Sequence, residues 1–294
     1  MNGNTGLPMH NVDETIMQER DLPTARGRFS ALDNGGEGRP PLLALHGWLD
    51  NAASFLPMAP HLAHYHLVAL DLPGHGRSFH YPDDAEYSLF STILDILAAA
   101  DALGWERFSL LGHSMGGAIS SLVAAAAPER IERACLIEAL GPLSADAPST
   151  ASRLQDAVAR RRALDISRKR VFSDIELAIV ARMHTPVAAV DANTARLLVQ
   201  RGVQTVEGGY LWSSDPRLTL PTAVRMTEEQ VHDCLRAIRC PVHLLVADPA
   251  PMYFPPSIRD ARIACVEQVR LVALPGGHHL HMTHPVESVA ALAL

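Results

Sequence analysis

The sequence predicts an α/β protein: a mostly parallel sheet flanked by helices, with a helical segment inserted late in the chain. Short, near-continuously apolar runs recur along it, as strands buried on both faces require. Helical patterns lie between several of the runs, which implies right-handed crossovers between parallel strands. The alternation breaks after Glu138 and resumes at Pro241.

In chain order, residues 14–33 read as two antiparallel edge strands before the first crossover. PLLALHG from Pro41, HLVALD from His66, RFSLLG from Arg107, IERACLIE from Ile131, PVHLLVAD from Pro241 and VRLVALPGG from Val269 supply the core strands. Helices are expected over Phe55 to His64, Ser88 to Leu103, Met115 to Ala126 and Pro256 to Cys265. Between Gly141 and Arg239 no buried-strand run stands out, and helix starts are signalled instead. Ser173 with Glu176 and Thr227 with Gln230 have capping-box spacing, and Thr185 precedes Pro186, the residue favoured at the first helical position. The chain therefore divides into a first core part (14–141), a helical lid (142–240) and a second core part (241–294). Arg160, Arg161, Arg162, Arg168, Lys169 and Arg170 in the lid could mark an anion site. The plainer reading is a solvated helix face with Leu154, Ala157, Val158 and Leu164 turned inward.

Composition narrows the function. Twenty-five basic residues against 32 acidic ones leave a net charge of −7, which argues against the basic face that nucleic-acid or anionic-membrane binding needs. A small-molecule partner is expected, and the oligomeric state has no signal. Hydrophobic content of 48% with 19% charged residues excludes a disordered, coiled-coil or collagen-like chain. The longest stretch without a formal charge, Phe108 to Pro128, is long enough to span a bilayer. Its centre holds Gly112, His113, Ser114, Gly116 and Gly117, which suits a turn between strand and helix and not a continuous span. Cys135, Cys234, Cys240 and Cys265 show no CxxC or metal-ligand spacing, and the polar start MNGNTGLPMHNVDE lacks the regions of a secretory signal. A reducing, cytoplasmic location without a disulfide framework is the expectation.

The chemistry centres on Gly112-His113-Ser114-Met115-Gly116, a G-x-S-x-G sequence with an apolar strand before it and an Ala-rich helix after it. Such a turn lifts a serine above the sheet, and small residues two positions either side keep it clear of neighbouring backbone. A nucleophilic serine also needs donors for the oxyanion of the transition state. The amide of Met115 should be one, and the loop after the first core strand, His46-Gly47-Trp48, should give the other through the amide of Trp48. The indole of Trp48 can wall the pocket at the same time. PGGHHLHM offers His278, His279 and His281 as the base. A metal reading of these three is weak, since positions i, i+1 and i+3 on a loop converge poorly and no cysteine or acidic ligand pattern accompanies them. His61, His64, His66 and His75 read as surface or loop residues.

HGWLDNAASF, DLPGHGRS, GHSMGG and GGHHLHM, in this order and spacing, resemble the α/β-hydrolase fold, and within it the serine hydrolase-like (kraken-like) branch. The resemblance runs from about Pro41 to Leu294, with the lid matched loosely through GGYLWSSDPRL. It implies a Ser–acid–His triad in that chain order and hydrolysis of an ester or related acyl bond. It selects His278, which directly follows the glycine, with His279 as runner-up, and it makes Asp71, Gly74, Gly76 and Ser78 a structural loop. Gly74-His75-Gly76 has Phe79 where a dinucleotide fingerprint has its third glycine, so neither a nucleotide cofactor nor any other is expected.

The acid departs from the commonest pattern. Most relatives place an Asp in a G-x-x-D turn after the strand that follows the lid, where this chain has Ala250, and Asp248 arrives two residues early. Some members of the fold carry the acid at the end of the preceding strand, and Glu138 stands there, where a buried carboxylate needs a partner. Glu138 is the expected acid and Asp248 the alternative. The expected reaction is hydrolysis of a carboxylic ester, or related acyl bond, of a small apolar substrate through an acyl-enzyme. Carbon–carbon bond or thioester hydrolysis by the same residues, and a non-catalytic ligand-binding role, remain open, because fold alone does not separate them. Haloalkane and epoxide chemistry are disfavoured, since those relatives use an Asp at the position of Ser114.

Overall fold

A computed structural model describes residues 17–166, 170–185 and 189–294. Strands β1 (Gln18–Thr24) and β2 (Gly27–Asp33) form an antiparallel pair, and β2 runs antiparallel to its other neighbour, the fourth strand. The parallel part contains β3 (Pro41–Leu45), β4 (His66–Leu70), β5 (Phe108–His113) and β6 (Ile131–Ile137). Helix α1 (Leu89–Ala102) precedes β5, and α2 (Met115–Ala126) follows it. After β6 come α3 (Thr150–Ala163), α4 (Ile175–Met183), α5 (Ala192–Gly202), a hairpin of β7 (Val203–Val206) and β8 (Gly209–Trp212), and α6 (Glu228–Arg236). The main sheet resumes with β9 (Val242–Asp248), α7 (Pro256–Ile263), β10 (Val269–Pro275), α8 (Leu280–Thr283) and α9 (Pro285–Leu292). Its order is β1-β2-β4-β3-β5-β6-β9-β10, so the chain crosses over at β3 and works outward in both directions.

Strand β3 shows why the apolar runs are continuous. Leu43 and Leu45 enter a core cluster with Ile96, Ile119 and Val123 on one face of the sheet, while Leu42 and Ala44 join Phe55, Met58 and Leu292 on the other. Both faces are covered, and a two-residue period then requires apolar side chains at every position.

The expected strands and three of the four expected core helices form at nearly the anticipated places, and the differences have physical causes. VRLVALPGG was expected to be buried on both faces, but β10 closes the sheet as an edge strand and leaves Leu271 exposed. Phe55 to His64 is not one helix: Pro57 and Pro60 fall within it, and two short 3-10 turns, Ala52–Phe55 and Ala59–Leu62, form instead. In the insertion, Thr227 and Gln230 make the expected reciprocal capping box on α6. Helix α4 is capped by Asp174, one residue beyond Ser173. The start expected at Pro186, with Arg168 and Lys169, lies outside the described residues, and α5 is capped by Asp191. The face of α3 expected to turn inward does not: Leu154 is 42% and Val158 57% exposed, and no residue of the helix is buried. The β7–β8 hairpin had no counterpart in the expected elements; its Tyr210 bridges to Phe172, and both pack in a small cluster of the insertion's own.

Buried arginines seat the insertion on the sheet. Arg201 of α5 donates to both oxygens of Asp71 at 3.0 Å, and to Ser30 of β2. Arg182 of α4 donates to Asp50 at 2.8 Å. Arg217 pairs with Asp215 and reaches the carbonyls of Tyr81 and Pro82. All four cysteines are free, and no helix among the described residues is long and apolar enough to cross a membrane.

Candidate active site

Ser114 sits between β5 and α2 with φ 52° and ψ −114°, a backbone conformation an L-residue holds only under constraint. The constraint is close packing. A Cβ on Gly116 would lie 1.9 Å from the carbonyl oxygen of Leu45, and one on Gly112 would lie 2.5 Å from that of Gly116. Only glycine lets the elbow press against β3, and this brings the start of α2 beside the 46–50 loop. The Met115 amide is the first of α2 and has no intrahelical acceptor. Neither it nor the Trp48 amide donates to a carbonyl among the described turn and loop hydrogen bonds.

Glu138 follows β6, fully buried, with φ 62°. Its Oε1 accepts the amide of Ala247 at 2.6 Å, and its Oε2 lies 3.4 Å from Nδ1 of His278. Asp248, the alternative acid, is exposed at the end of β9, and no hydrogen bond among the described residues joins its carboxylate to a histidine. His278 is half-buried, and its main-chain oxygen accepts Nε2–H of His113 at 2.8 Å. The residue before the serine thus fixes the loop that carries the imidazole.

Tyr253, absent from the sequence reading, stands among these groups. Its hydroxyl lies 2.9 Å from Nδ1 of His278, 3.3 Å from Oε2 of Glu138 and 3.1 Å from the Glu138 carbonyl. Burial and the negative charge of Glu138 push its phenol well above the ordinary tyrosine range. It comes from the Pro-rich loop before α7, where no local pattern distinguishes it from a wall residue.

Behind His278 the rings of His113, His279 and His281 gather, with centroids 4.2 Å apart for His113 and His281. Burial, with the neighbouring imidazoles, holds His113 and His281 well below the usual histidine value, so both are neutral. Asp50 lies beneath them. Burial opposes its ionisation, but His279 at 2.8 Å and Arg182 outweigh that and hold the carboxyl well below its ordinary range. His66 and His75, read as surface or loop residues, are buried: His66 contacts Asp33, and His75 is pushed by burial down to about 3.

Asp50, His113 and His279 present ligand atoms within 4.8 Å of one another, so an acidic group does accompany the histidines. The donor set fits a cation poorly. Arg182 occupies the second oxygen of Asp50 and stands 3.3 Å from Nε2 of His279, so an incoming ion would face a fixed positive charge.

Three residues of the 46–51 loop also reach the insertion. The indole of Trp48 donates to the carbonyl of Leu218 at 2.9 Å, Asp50 holds Arg182, and the Asn51 amide donates to the carbonyl of Leu198 at 2.8 Å.

Comparison with known proteins agrees with this architecture. Residues 40–176 match the α/β-hydrolase fold family. A Drosophila melanogaster protein named "Probable serine hydrolase" is 32% identical over 97% of this chain and 89% of its own. The crystal structure of a hypothetical protein from Pseudomonas aeruginosa PAO1 superposes with a TM-score of 0.87 at 41% identity, covering 94% of this chain and 97% of that one. A thioesterase domain from the curacin biosynthetic pathway gives 0.81 at 26%, covering 95% and 99%. Fold and likeness together define the class, the α/β hydrolases. Within that family the chain belongs to the serine hydrolase-like branch.

Proposed function

We propose that this protein hydrolyses a carboxylic ester or related acyl bond of a small, apolar substrate through an acyl-enzyme on Ser114, with His278 as base and Glu138 as acid. The observation that carries the reading is the convergence of a strained serine at a helix start, an imidazole and a buried carboxylate at the ends of three different strands. In acylation His278 takes the serine proton at Nε2, Oγ bonds to the acyl carbon, and the amides of Trp48 and Met115 receive the oxyanion. Returning that proton to the leaving group frees the alcohol or thiol. Water, deprotonated by the same imidazole, then releases the acid and regenerates Ser114. Nδ1–H faces Glu138 throughout, which keeps Nε2 available as the base.

Substrate class follows from what rims the strand ends. Trp48, Leu143 and Met252, on loops leaving β3, β6 and β9, are exposed apolar side chains, which favours uncharged acyl groups. A thioester is the second reading, supported by the likeness to the curacin thioesterase domain at 26% identity. The test is labelling with a fluorophosphonate, together with turnover of matched aryl esters and acyl thioesters of increasing chain length. Ser114→Ala should lose both labelling and more than about a thousandfold of turnover while remaining folded. Full turnover in that variant would rule out covalent catalysis through this serine.

A further inference from the structure

We infer that Tyr253 is a fourth member of the catalytic centre, its hydroxyl linking Glu138 to His278 and so holding the imidazole in its working tautomer. The inference rests on the acyl-enzyme reading above. Hydrogen counting fixes the direction of each bond. The Glu138 carboxylate and its main-chain carbonyl can only accept, and a phenol has one proton, so that proton points to Glu138 at 3.1–3.3 Å. The phenol oxygen is then left to accept Nδ1–H of His278 at 2.9 Å, shorter than the 3.4 Å direct approach of the carboxylate. With Nδ1 protonated, Nε2 carries the lone pair that takes the Ser114 proton.

When His278 becomes imidazolium, the charge of Glu138 reaches it both across the direct gap and through the polarised phenol. No proton leaves Tyr253 in any step: its environment pushes the phenol up and not down, which suits a relay of polarity and not an acid or base. The loop geometry supports a held position. Phe254, the next residue, is buried in the core and its amide bonds to the carbonyl of Pro251, while Met252 on the other side is 99% exposed. One neighbour anchors the loop, the other is free, and the tyrosine between them turns toward the triad.

Tyr253→Phe tests this by removing one oxygen and leaving the ring. The expected result is a fall in kcat of about ten- to a hundredfold with KM nearly unchanged, the loss of one charge-assisted hydrogen bond in the transition state. The acid limb of the kcat/KM profile should also move to lower pH, because the imidazolium loses a stabilising partner. Wild-type kcat with an unmoved acid limb overturns the proposal, as does a change confined to KM. Ser114→Ala in the same assay separates the two readings. Turnover retained there sinks the acyl-enzyme reading and this proposal with it, whereas an inactive Ser114→Ala beside an unaffected Tyr253→Phe sinks this proposal alone.

Discussion

On the sheet side of the site, Ser114, Glu138 and His278 leave strand ends set in aliphatic side chains, and backbone packing positions them. On the insertion side, Arg182, Arg201 and Arg217 do the positioning through buried carboxylates and carbonyls, while the insertion's own cluster consists of Phe172, Ala178, Ile179, Ala195 and Val199 with partly buried neighbours. The difference is one of tolerance. Aliphatic packing is non-directional and survives small shifts, whereas a buried ion pair holds only at the right angle and becomes costly when one partner is lost. The sheet side can therefore change chemistry without losing the fold, and the insertion side cannot lose a charge without loosening its seat.

The sharpest use of this contrast is Glu138→Gln, which keeps the shape, removes the charge and turns one of the two accepting oxygens into a donating amide. It should lower kcat by about 10⁴ with substrate affinity nearly unchanged and the protein folded. Asp248→Asn, on the exposed end of β9, should be close to normal on the same ester. The reverse pattern would put the acid in the turn after the insertion.

Arg201→Met attacks the other side. It strands Asp71, which keeps the amides of Ala52 and Arg77 as donors, so the cost should lie near the lower end for a broken buried pair, about 3 kcal/mol. Urea unfolding reads it directly, and a loss below about 1 kcal/mol would mean that the insertion is held by packing after all.

A pH-dependent effect belongs to the sheet side. Burial holds His46 down to about 4 and His75 down to about 3, from an ordinary 6.5. Both are neutral when folded, whereas the unfolded chain takes up their protons below 6.5. Stability is therefore whole above pH 6.5 and falls as the pH drops toward 4, by up to about 1.4 kcal/mol per unit for each histidine. Urea midpoints between pH 7.5 and 5 measure the slope, and His75→Gln should flatten it. An unaltered slope would assign the acid sensitivity to other groups, the buried His113 and His281 among them.

How much of this was legible depended on how far apart in sequence the cooperating residues lie. The strands and the elbow are contiguous patterns: an apolar run, G-x-S-x-G, then small residues, each dictated by backbone contacts such as Gly116 on Leu45. Glu138 announced itself because a carboxylate ending an apolar strand has to be accounted for. Tyr253 and Asp50 gave no such signal, since their meaning comes from convergence of loops after β3, β5, β9 and β10. The exposed face of α3 departs from expectation for a related reason. Periodicity at Leu154 and Val158 shows that a helix has an apolar side, but not that anything covers it.

The loop of Trp48, Asp50 and Asn51 grips the insertion at Leu218, Arg182 and Leu198, on three separate segments. That makes the insertion a poor interchangeable part. A chimera that swaps only residues 142–240 for a relative's would leave the donors of one grip facing a foreign backbone, and the amide of Trp48 would shift with them. Exchange of specificity between relatives should therefore succeed only when the 46–51 loop travels with the insertion, so that two stretches nearly a hundred residues apart are inherited as one unit.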